Sequence, residues 1–297
     1  MTDVDTLSPD LLPEGLEVRH SRPLTGGTAN PVWRCELADG REVVVKVARE
    51  DQPDLSEIEA EGLRALSELG GLPTPRVIAF SPRTLILEAI GDGSLPPDDG
   101  DFWADAGRAV ARLHAVRSER FGWARDGWLG QYRQQNAWDA DGHRFFAEKR
   151  ILSFLDKPGA EAALDAADRA GLERLCTRLP ELVPDTGAVL THGDLWRNNL
   201  IAGPTADGHH TEPVFIDPAV SYAWAETDVS MMLLSGASVP ESFFSAYQEL
   251  RPLDAEWREQ ARILNLRELL SMIATFGHGA GNAERIAELR AIVRRYA

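Results

Sequence analysis

The sequence predicts an α+β fold in two parts, a small N-terminal antiparallel sheet with one helix and a larger, mainly helical C-terminal region. Short runs of alternating or β-branched residues, separated by turn-forming residues, occupy most of the first 90 positions. Beyond residue 101 most apolar residues recur every three to four positions, as in amphipathic helices. Two acidic turns, each directly after an apolar run, interrupt this helical pattern. We therefore expect two domains, residues 1–90 and residues 91–297.

Composition and charge limit the possible partners. The chain of 297 residues has 47 acidic and 31 basic side chains, which give a formal net charge of −16. This charge disfavours a polyanionic partner such as nucleic acid and mildly favours a cationic or neutral substrate. An acidic surface also keeps a protein soluble, so the charge by itself identifies no ligand.

The sequence has no run of eighteen apolar residues, and its start, MTDVDTLSPDLLPEG, is acidic and polar where a signal peptide would be basic and then apolar. We interpret the protein as cytoplasmic and without a membrane partner. Cys35 and Cys176 are too few and too isolated for a disulfide framework, and no Cys/His spacing indicates zinc. Both cysteines are interpreted as structural.

Five short strands are predicted in the N-terminal part, at residues 16–20, 31–37, 41–47, 76–80 and 84–87. The turn between the first two contains Gly26, Gly27 and Thr28. A glycine turn lets backbone N–H groups approach a phosphate without interference from a Cβ atom, so these three residues are candidate nucleotide contacts. A plain hairpin turn is the alternative interpretation.

Lys46 is the one charged residue within the β-branched run Val43–Val47. An unpaired buried ammonium is unfavourable, so Lys46 is expected to have an acidic partner, unless its side chain reaches solvent from an edge strand. The helix predicted at 54–69 offers Glu57, Glu59 and Glu61. We expect Glu61 to be the partner because it borders the apolar stripe of this helix, and we expect the other two to be solvated.

The C-terminal region is predicted to contain helices at 101–114, 143–155, 160–179 and 226–234, followed by amphipathic helix over 241–297 with a glycine break at 277–281. His114 ends the first of these helices, where packing or capping is favoured over catalysis. An aromatic-rich connection at 121–139 shows little periodicity. A long irregular segment is usually functional or disordered, and this many tryptophans argue against disorder.

The first acidic turn lies between two apolar runs and is called the catalytic turn below; its sequence is His192-Gly193-Asp194-Leu195-Trp196-Arg197-Asn198-Asn199. The second acidic turn contains Asp217 and is called the Asp217 turn. This layout is typical of a phosphotransfer site, which needs a carboxylate to accept the proton of the acceptor hydroxyl and oxygen ligands for magnesium. Asp194 suits the first task, and Asn199 and Asp217 suit the second. The alternative is that Asp194 and Asn199 only form a turn.

Further site residues follow from this interpretation. The strand ending near residue 90 leads into Gly91-Asp92-Gly93, and the main chain of Glu88 and Ile90 is predicted to contact adenine; a simple strand end is the alternative. His192, Asp194 and Trp196 are candidate contacts with the acceptor, since the Trp196 ring could stack on a sugar face. Asp228 is predicted to cap its helix or to accept backbone N–H groups of the catalytic turn. The remaining tryptophans singled out, Trp33, Trp103 and Trp123, are predicted to be core.

Together these motifs resemble the protein-kinase-like small-molecule kinases, which include aminoglycoside phosphotransferases and choline kinases. A finer resemblance is to the fructosamine kinase (ketosamine-3-kinase) family. It rests on several motifs: Gly26-Gly27-x-x-Asn30 with Trp33, Asn136-x-Trp138 followed by Phe145-Phe146-x-Glu148-x-Arg150, His-Gly-Asp-Leu-Trp-x-x-Asn ending at Asn199, the Asp217 turn with Tyr222, and Glu226-x-Asp228. These features span roughly residues 26–228. The shared acidic turns indicate the superfamily, whereas Trp196 and the Asn136-x-Trp138 segment indicate the family.

This resemblance implies a two-lobed protein-kinase-like fold that uses ATP and Mg²⁺ to phosphorylate a sugar hydroxyl of a ketosamine, after which the unstable adduct releases the amine. It implies that Asp194 is the catalytic base, that Asn199 and Asp217 bind magnesium, and that Lys46, paired with Glu61, holds the α- and β-phosphates. Trp196 would border the sugar, and Asp228 would support the catalytic turn.

The sequence departs from the family pattern at two positions and leaves some questions open. Thr28 stands where family members often have a cysteine, so redox control at that position is not expected. Arg197 replaces a small residue and could narrow or recharge the acceptor site. The alternatives are a kinase of another small alcohol, such as an aminoglycoside, choline or a thiosugar, and a non-catalytic nucleotide-binding regulator. We expect a monomer or a weak dimer that acts on a small-molecule ketosamine or glycated amine.

Overall fold

The computed structural model describes residues 7–8, 11–13, 15–24, 30–94, 97–205, 211–234, 239–279 and 281–297. The predicted nucleotide contacts Gly26, Gly27 and Thr28 lie outside these ranges. None of the helices in the described ranges combines the length and the apolar character needed to cross a membrane.

The N-terminal part is a five-stranded antiparallel sheet in the order β1-β2-β3-β5-β4, as predicted. Its strands are β1 Val18–Pro23, β2 Val32–Leu37, β3 Glu42–Val47, β4 Val77–Phe80 and β5 Thr84–Glu88. Val43, Val45 and Val47 of β3 pack on one face with Trp33 and other apolar residues. Because side chains alternate along a strand, Val44 and Lys46 lie on the opposite face.

Helix α1, Leu55–Glu68, covers this opposite face. Its Ala60 and Leu63 form an apolar cluster with Leu85 and Leu87 of β5. The spacing of three residues between Ala60 and Leu63 places both on one side of the helix. The acidic residues of α1 are therefore distributed around the rest of its circumference, and only some of them can face Lys46.

The C-terminal part is mainly helical. Its helices are α2 Gly100–Leu113, α3 Gly142–Phe146, α4 Pro158–Ala163, α5 Ala166–Leu182, α6 Ala225–Met231, α7 Glu241–Leu250, α8 Trp257–Leu264, α9 Leu266–Phe276 and α10 Asn282–Tyr296. One apolar cluster surrounds Trp103 of α2 and Tyr247 of α7. A second contains Leu172 of α5, Leu270 of α9 and Leu289 of α10. The fold of two unequal parts agrees with the prediction.

Short sheets within the helical part carry the acidic turns. Their strands are β6 Arg117–Ser118, β7 Gly127–Leu129, β8 Tyr132–Gln134, β9 Ala188–Thr191, β10 Leu200–Pro204, β11 Thr211–Phe215 and β12 Ser221–Ala223. Strand β9 lies between β12 and β6, and β10 pairs with β11. The catalytic turn follows β9, and the Asp217 turn follows β11. Both turns therefore emerge beside each other, where we expected them.

Four segments differ from their predictions. The helix predicted at 143–155 is α-helical only over Gly142–Phe146 and continues as a π-helical turn, Ala147–Ile151, and a 3₁₀ turn, Leu152–Phe154. The helix predicted over 241–297 is interrupted at residues 251–256 as well as at the predicted glycine break. The helix predicted at 160–179 is two helices, because α4 ends at Ala163 and Asp165 caps the start of α5 in a reciprocal capping box with Asp168. The connection at 121–139, predicted to be irregular, contains the β7–β8 hairpin, in which Trp128 lies opposite Arg133. A three-residue strand is too short to show a clear alternation of apolar and polar residues, so periodicity did not reveal it.

Candidate active site

The main chain of the catalytic turn is held by Asp228, which is fully buried at the N-terminal turn of α6. Its carboxylate accepts hydrogen bonds from the backbone N–H of His192 at 2.7 Å and of Gly193 at 2.9 Å. His114, also fully buried, lies 3.2 Å from the same carboxylate. Burial raises the pKa of Asp228, but the hydrogen bond with His114, the nearby histidines and the Gly193 N–H outweigh it and hold the pKa below its usual range.

Gly193 allows the two acidic turns to touch. Its φ is +78°, and a Cβ atom at this position would lie 2.0 Å from the carbonyl oxygen of Ala219. The backbone N–H of Ala219 in turn donates to His192 O at 2.9 Å. Glycine is required here both for its backbone conformation and for the close approach.

His192 was predicted to contact the acceptor, and this prediction is wrong. The side chain is fully buried. Its Nε2 lies 3.0 Å from Ile216 O, and the backbone N–H of Asp194 donates to its Nδ1 at 3.3 Å. Burial lowers the pKa of His192, which favours the neutral ring that can donate at Nε2 and accept at Nδ1. His192 therefore connects the two acidic turns from behind and has no surface for a substrate.

Asp194 and Asn199 meet across the catalytic turn. The Nδ2 group of Asn199 donates to Asp194 O at 2.7 Å and to Asp194 Oδ2 at 3.0 Å. Burial, and next the negative charge of Glu268, raise the pKa of Asp194 to about 8. A carboxyl group with a pKa near neutral is well matched to accepting a proton from a hydroxyl group.

Asp217 completes the pair of candidate metal ligands. Its main-chain oxygen lies 3.5 Å from Asn199 Nδ2, and its φ of +57° is unusual for a residue other than glycine. In the described part of the chain, no group of three or more His, Cys, Asp or Glu side chains could hold a metal ion. One carboxylate and one amide oxygen suit a Mg²⁺ ion that takes its other ligands from phosphate oxygens and water.

Lys46 reaches this site from the N-terminal sheet, but the prediction that Glu61 is its partner is wrong. Lys46 Nζ forms ion pairs with Asp217 and, at 2.5 Å, with Glu59. Two residues along a helix differ by about 200° of rotation, so Glu59 and Glu61 point to nearly opposite sides of α1. Glu59 faces the sheet, whereas Glu61 accepts a hydrogen bond from Trp123 Nε1 at 3.0 Å. Glu59 was expected to be solvated, and that expectation is also wrong.

The charges around Lys46 compensate for its burial. Burial lowers the pKa of Lys46, but the carboxylates of Asp217 and Glu59 outweigh this and hold it above the usual range. Burial raises the pKa of Glu59, and the ammonium of Lys46 opposes that rise. Lys46 is therefore charged at neutral pH and is placed beside the candidate metal ligand.

The predicted adenine contacts lie where the sheet joins the helical part. The N–H of Glu88 donates to Arg76 O at 2.9 Å. The carbonyl oxygen of Glu88 is therefore the main-chain group left to accept a hydrogen bond from adenine. The carbonyl of Ile90 accepts from Gly93 N at 3.1 Å, which leaves its N–H as the candidate donor. Arg34 donates to the neighbouring Gly91 O at 2.5 Å and so ties this segment to β2.

The tryptophans divide into buried and partly exposed side chains. Trp33 and Trp103 are core residues, as predicted, with exposures of 5% and 0%. Trp123 is partly exposed and packs at the edge of the apolar cluster around Trp103, and Trp196 is also partly exposed. Arg197 follows Trp196, but its guanidinium lies over the ring of Trp103 at 4.9 Å and donates to Asp98 at 2.8 Å.

Sequence reasoning missed a buried polar network behind the catalytic turn. Arg267 of α9 donates to Gly193 O at 2.7 Å, to Glu268 at 2.6 Å and to the side-chain oxygen of Gln134 at 2.5 Å. Gln134 also donates to Ala219 O at 3.0 Å. One signal was available, because Arg267 lies three positions before the buried Leu270 and so on the apolar side of its helix.

Comparison with known proteins identifies the family. The model of the fructosamine kinase family matches residues 1–291 of the chain. The chain belongs to the fructosamine kinase family. It is 30% identical over 284 residues to a protein of Enterococcus faecium assigned as a ketoamine kinase, an alignment that covers 94% of this chain and 96% of the relative.

Solved structures support the same assignment for this fructosamine kinase family member. A structure from Thermobifida fusca assigned as a fructosamine-3-kinase superposes with a TM-score of 0.80 at 30% identity and covers 94% of this chain and 95% of its own. A choline kinase from Streptococcus pneumoniae superposes with a TM-score of 0.64 at 16% identity, covers 94% of this chain and 95% of its own, and shows the shared fold. The protein is therefore a phosphotransferase with a protein-kinase-like fold, as the sequence motifs predicted.

Proposed function

We propose that this protein transfers the γ-phosphate of ATP to a sugar hydroxyl of a ketosamine, and that the product then releases its amine, so that the activity is deglycating. The observation that carries this proposal is the meeting of Asp194, Asn199 and Asp217 with Lys46 of the N-terminal sheet. Family membership adds the acceptor class, a sugar joined to an amine.

The mechanism assigns one task to each of these side chains. Asp194 accepts the proton of the acceptor hydroxyl as the oxygen attacks the γ-phosphorus atom, and ADP leaves. Asn199 holds Asp194 by two hydrogen bonds and so orients its carboxylate. Lys46, paired with Glu59, binds the α- and β-phosphates and offsets their charge. Positioning and charge neutralisation of this kind account for most of the rate enhancement in phosphoryl transfer.

Asp217 and the side-chain oxygen of Asn199 would hold Mg²⁺, and the bound ion would neutralise charge on the phosphates. The donor set fits this ion because both ligands are oxygen atoms, and because the Nδ2 group of Asn199 is used for Asp194. The ion pair between Lys46 and Asp217 shows that the carboxylate already attracts a cation.

On the ATP side, the main chain of Glu88 and Ile90 would bind adenine. Gly26, Gly27 and Thr28 stay predicted phosphate contacts outside the described residues. On the acceptor side, the partly exposed Trp196 lies in the same turn as Asp194, two positions further along the chain. An indole ring there can stack on the face of a sugar. The net charge of −16 suits an acceptor that carries an ammonium group.

Release of the amine follows from the chemistry of a phosphorylated ketosamine. A hydroxyl group is a poor leaving group, whereas a phosphate leaves readily. If the 3-hydroxyl is the acceptor, enolisation toward C1 forms a C1=C2 double bond and makes the phosphate on C3 allylic. Elimination of this phosphate leaves an imine at C1, and hydrolysis of the imine releases the amine. Phosphate on the 6-hydroxyl is too distant for this elimination, so the position of transfer decides whether deglycation follows.

A panel of acceptors tests the proposal. Purified protein and Mg-ATP are incubated with fructosyl-lysine, ribulosyl-lysine, kanamycin, choline and methylthioribose, and ADP release is measured for each. We expect turnover with the two ketosamines, and we expect the Asp194→Asn variant to show none. Turnover of an aminoglycoside, choline or the thiosugar, without turnover of either ketosamine, would refute the acceptor class. ATP binding without turnover of any acceptor would instead indicate a non-catalytic regulator.

A further inference from the structure

The β7–β8 hairpin, residues 127–134, lies between helix α1 and the two acidic turns, and the mechanism above gives it no role. It belongs to the tryptophan-rich connection that sequence periodicity left unexplained. Its contacts with α1 and with the acidic turns are polar and specific, so each can be tested separately.

On the α1 side, the hairpin binds the residue that precedes the helix. Asp54 accepts hydrogen bonds from Trp128 Nε1 at 2.9 Å and from Arg133 at 2.7 Å, and the Arg133 guanidinium lies 4.3 Å from the centre of the Trp128 ring. An Asp at this position usually accepts from the first N–H groups of its own helix, but Asp54 makes no such hydrogen bond. Its carboxylate instead serves the contact between the two parts of the fold.

Two further observations support this contact. Gln52, which is 1% exposed, donates to the carbonyl oxygen of Gly130 in the hairpin turn at 2.8 Å. Burial raises the pKa of Asp54, but the hydrogen bonds from Arg133 and Trp128 outweigh that effect and hold its pKa below the usual range. Asp54 is therefore ionised at neutral pH, and its hydrogen bond with Arg133 is charge-assisted.

On the other side, the hairpin ends at Gln134, which is 5% exposed. The Gln134 amide donates to Ala219 O at 3.0 Å, beside the Asp217 turn, and accepts from Arg267 at 2.5 Å. Arg267 also donates to Gly193 O at 2.7 Å in the catalytic turn. The hairpin is thus joined to both acidic turns through one buried amide.

Helix α1 carries Glu59, the partner of Lys46, about one and a half turns after Asp54. A shift of the start of α1 would therefore move Glu59 away from Lys46, whose ammonium lies 2.5 Å from it. We propose that the β7–β8 hairpin fixes helix α1 relative to the catalytic and Asp217 turns, with Asp54, Trp128 and Arg133 as positioning residues that act on Lys46 through Glu59. This inference rests on the proposed function, because it assigns Lys46 to the phosphates of ATP.

The positioning residues are partly exposed, with side-chain exposures of 25% for Asp54 and 43% for Arg133. A partly exposed ion pair contributes little to global stability. Misplacement of a group that holds the phosphates, in contrast, has a large effect on rate. The hairpin contact should thus affect catalysis much more than folding, which separates a positioning role from a merely structural one.

The test compares Arg133→Gln with Arg144→Gln. Arg144 of α3 provides a matched control, because it pairs at 2.5 Å with Asp139 of the same connection and is similarly exposed at 56%. Its hydrogen-bond partners are Asp139 and Asp141, which lie outside α1. For each variant the melting temperature, the Kd for Mg-ATP, and kcat and KM with fructosyl-lysine are measured. Arg133→Lys is included, since it retains the charge but not the fork of two N–H groups.

We expect Arg133→Gln to lower kcat by roughly tenfold and to weaken Mg-ATP binding, with little change in the KM for fructosyl-lysine. Arg133→Lys should recover part of the loss, and Arg144→Gln should resemble the wild type. The melting temperatures of the three variants should lie within about 3 °C of one another. Equal kcat and Kd values for Arg133→Gln and Arg144→Gln would overturn the proposal.

A double-mutant cycle with Glu59→Gln tests the route of action. If the hairpin acts through Glu59, Arg133→Gln should have a much smaller effect in the Glu59→Gln background than in the wild type. Full additivity of the two effects would show that Arg133 acts elsewhere and would overturn the inference. If the wild type binds Mg-ATP but does not phosphorylate fructosyl-lysine, the proposed acceptor is refuted. The ratio of the Kd values of Arg133→Gln and Arg144→Gln for Mg-ATP would still decide the role of the hairpin.

Discussion

The catalytic turn and helix α1 both contribute acidic side chains to the site, but they do so by different means. In the catalytic turn, Asp194 and Asn199 lie five positions apart and bind each other directly. In α1, the partner of Lys46 depends on how a whole helix is rotated against a sheet and where its first turn is anchored. Local spacing therefore determines the first arrangement, whereas contacts between distant segments determine the second.

The largest effect should come from the catalytic turn. Asp194→Asn removes the proton acceptor but keeps the shape of the side chain, so kcat should fall by about a thousandfold or more. The melting temperature should change little, because Asn has the shape of the protonated Asp194 side chain that the raised pKa favours. Steady-state kinetics and thermal unfolding of the same preparation check both parts. A variant that retains a tenth of the wild-type kcat would exclude Asp194 as the base.

A smaller effect is expected from α1, where two glutamates two positions apart allow a matched comparison. Glu59→Gln leaves Lys46 without its partner in the N-terminal part, so kcat/KM for ATP should fall by about a hundredfold. Glu61→Gln, which affects only the contact with Trp123 and Arg125, should change the same ratio by less than about threefold. ATP-dependent initial rates for the two variants measure this difference. Equal losses, or a larger loss for Glu61→Gln, would contradict the Lys46–Glu59 pair.

The smallest effect is a displacement of the pH profile. Because burial and then Glu268 raise the pKa of Asp194 to about 8 in the free protein, the fraction of the ionised base and hence kcat/KM should rise with pH up to about 8. The folded site favours the protonated form of Asp194. The contribution of this protonation to the free energy of unfolding is therefore lost as the pH rises toward about 8. Glu268→Gln removes one cause of the raised pKa and should move the acidic limb of the kcat/KM profile to lower pH. A profile that stays unchanged in this variant would exclude Glu268 as a cause.

The same contrast explains how far the sequence could be interpreted. The N-terminal sheet, α1 and the two acidic turns follow from local patterns of apolar residues and turn formers, and the structure contains them. His192 was assigned to the substrate because it adjoins Asp194, but burial of its ring is a property of the whole fold. The boundary near residue 90, the glycine turn that covers the phosphates, and the roles of the site residues remain predictions.

The position of Arg267 on the apolar side of its helix indicated a buried arginine, but its partners Gln134 and Gly193 could not be predicted. The three residues lie more than fifty residues apart along the chain and meet only after the helices have packed. The hairpin that carries Gln134 has strands of only three residues each. Such contacts depend on tertiary structure, and one sequence without a structure contains little trace of them.

The most direct test of the proposed function is the analysis of fructosyl-lysine after incubation with the protein and Mg-ATP. Mass spectrometry measures the addition of phosphate, and ³¹P NMR locates it on the sugar. We predict one phosphate on the 3-hydroxyl group, followed by the appearance of free lysine and inorganic phosphate, with neither product formed by Asp194→Asn. Unchanged fructosyl-lysine under conditions in which the protein phosphorylates another alcohol would contradict the proposal.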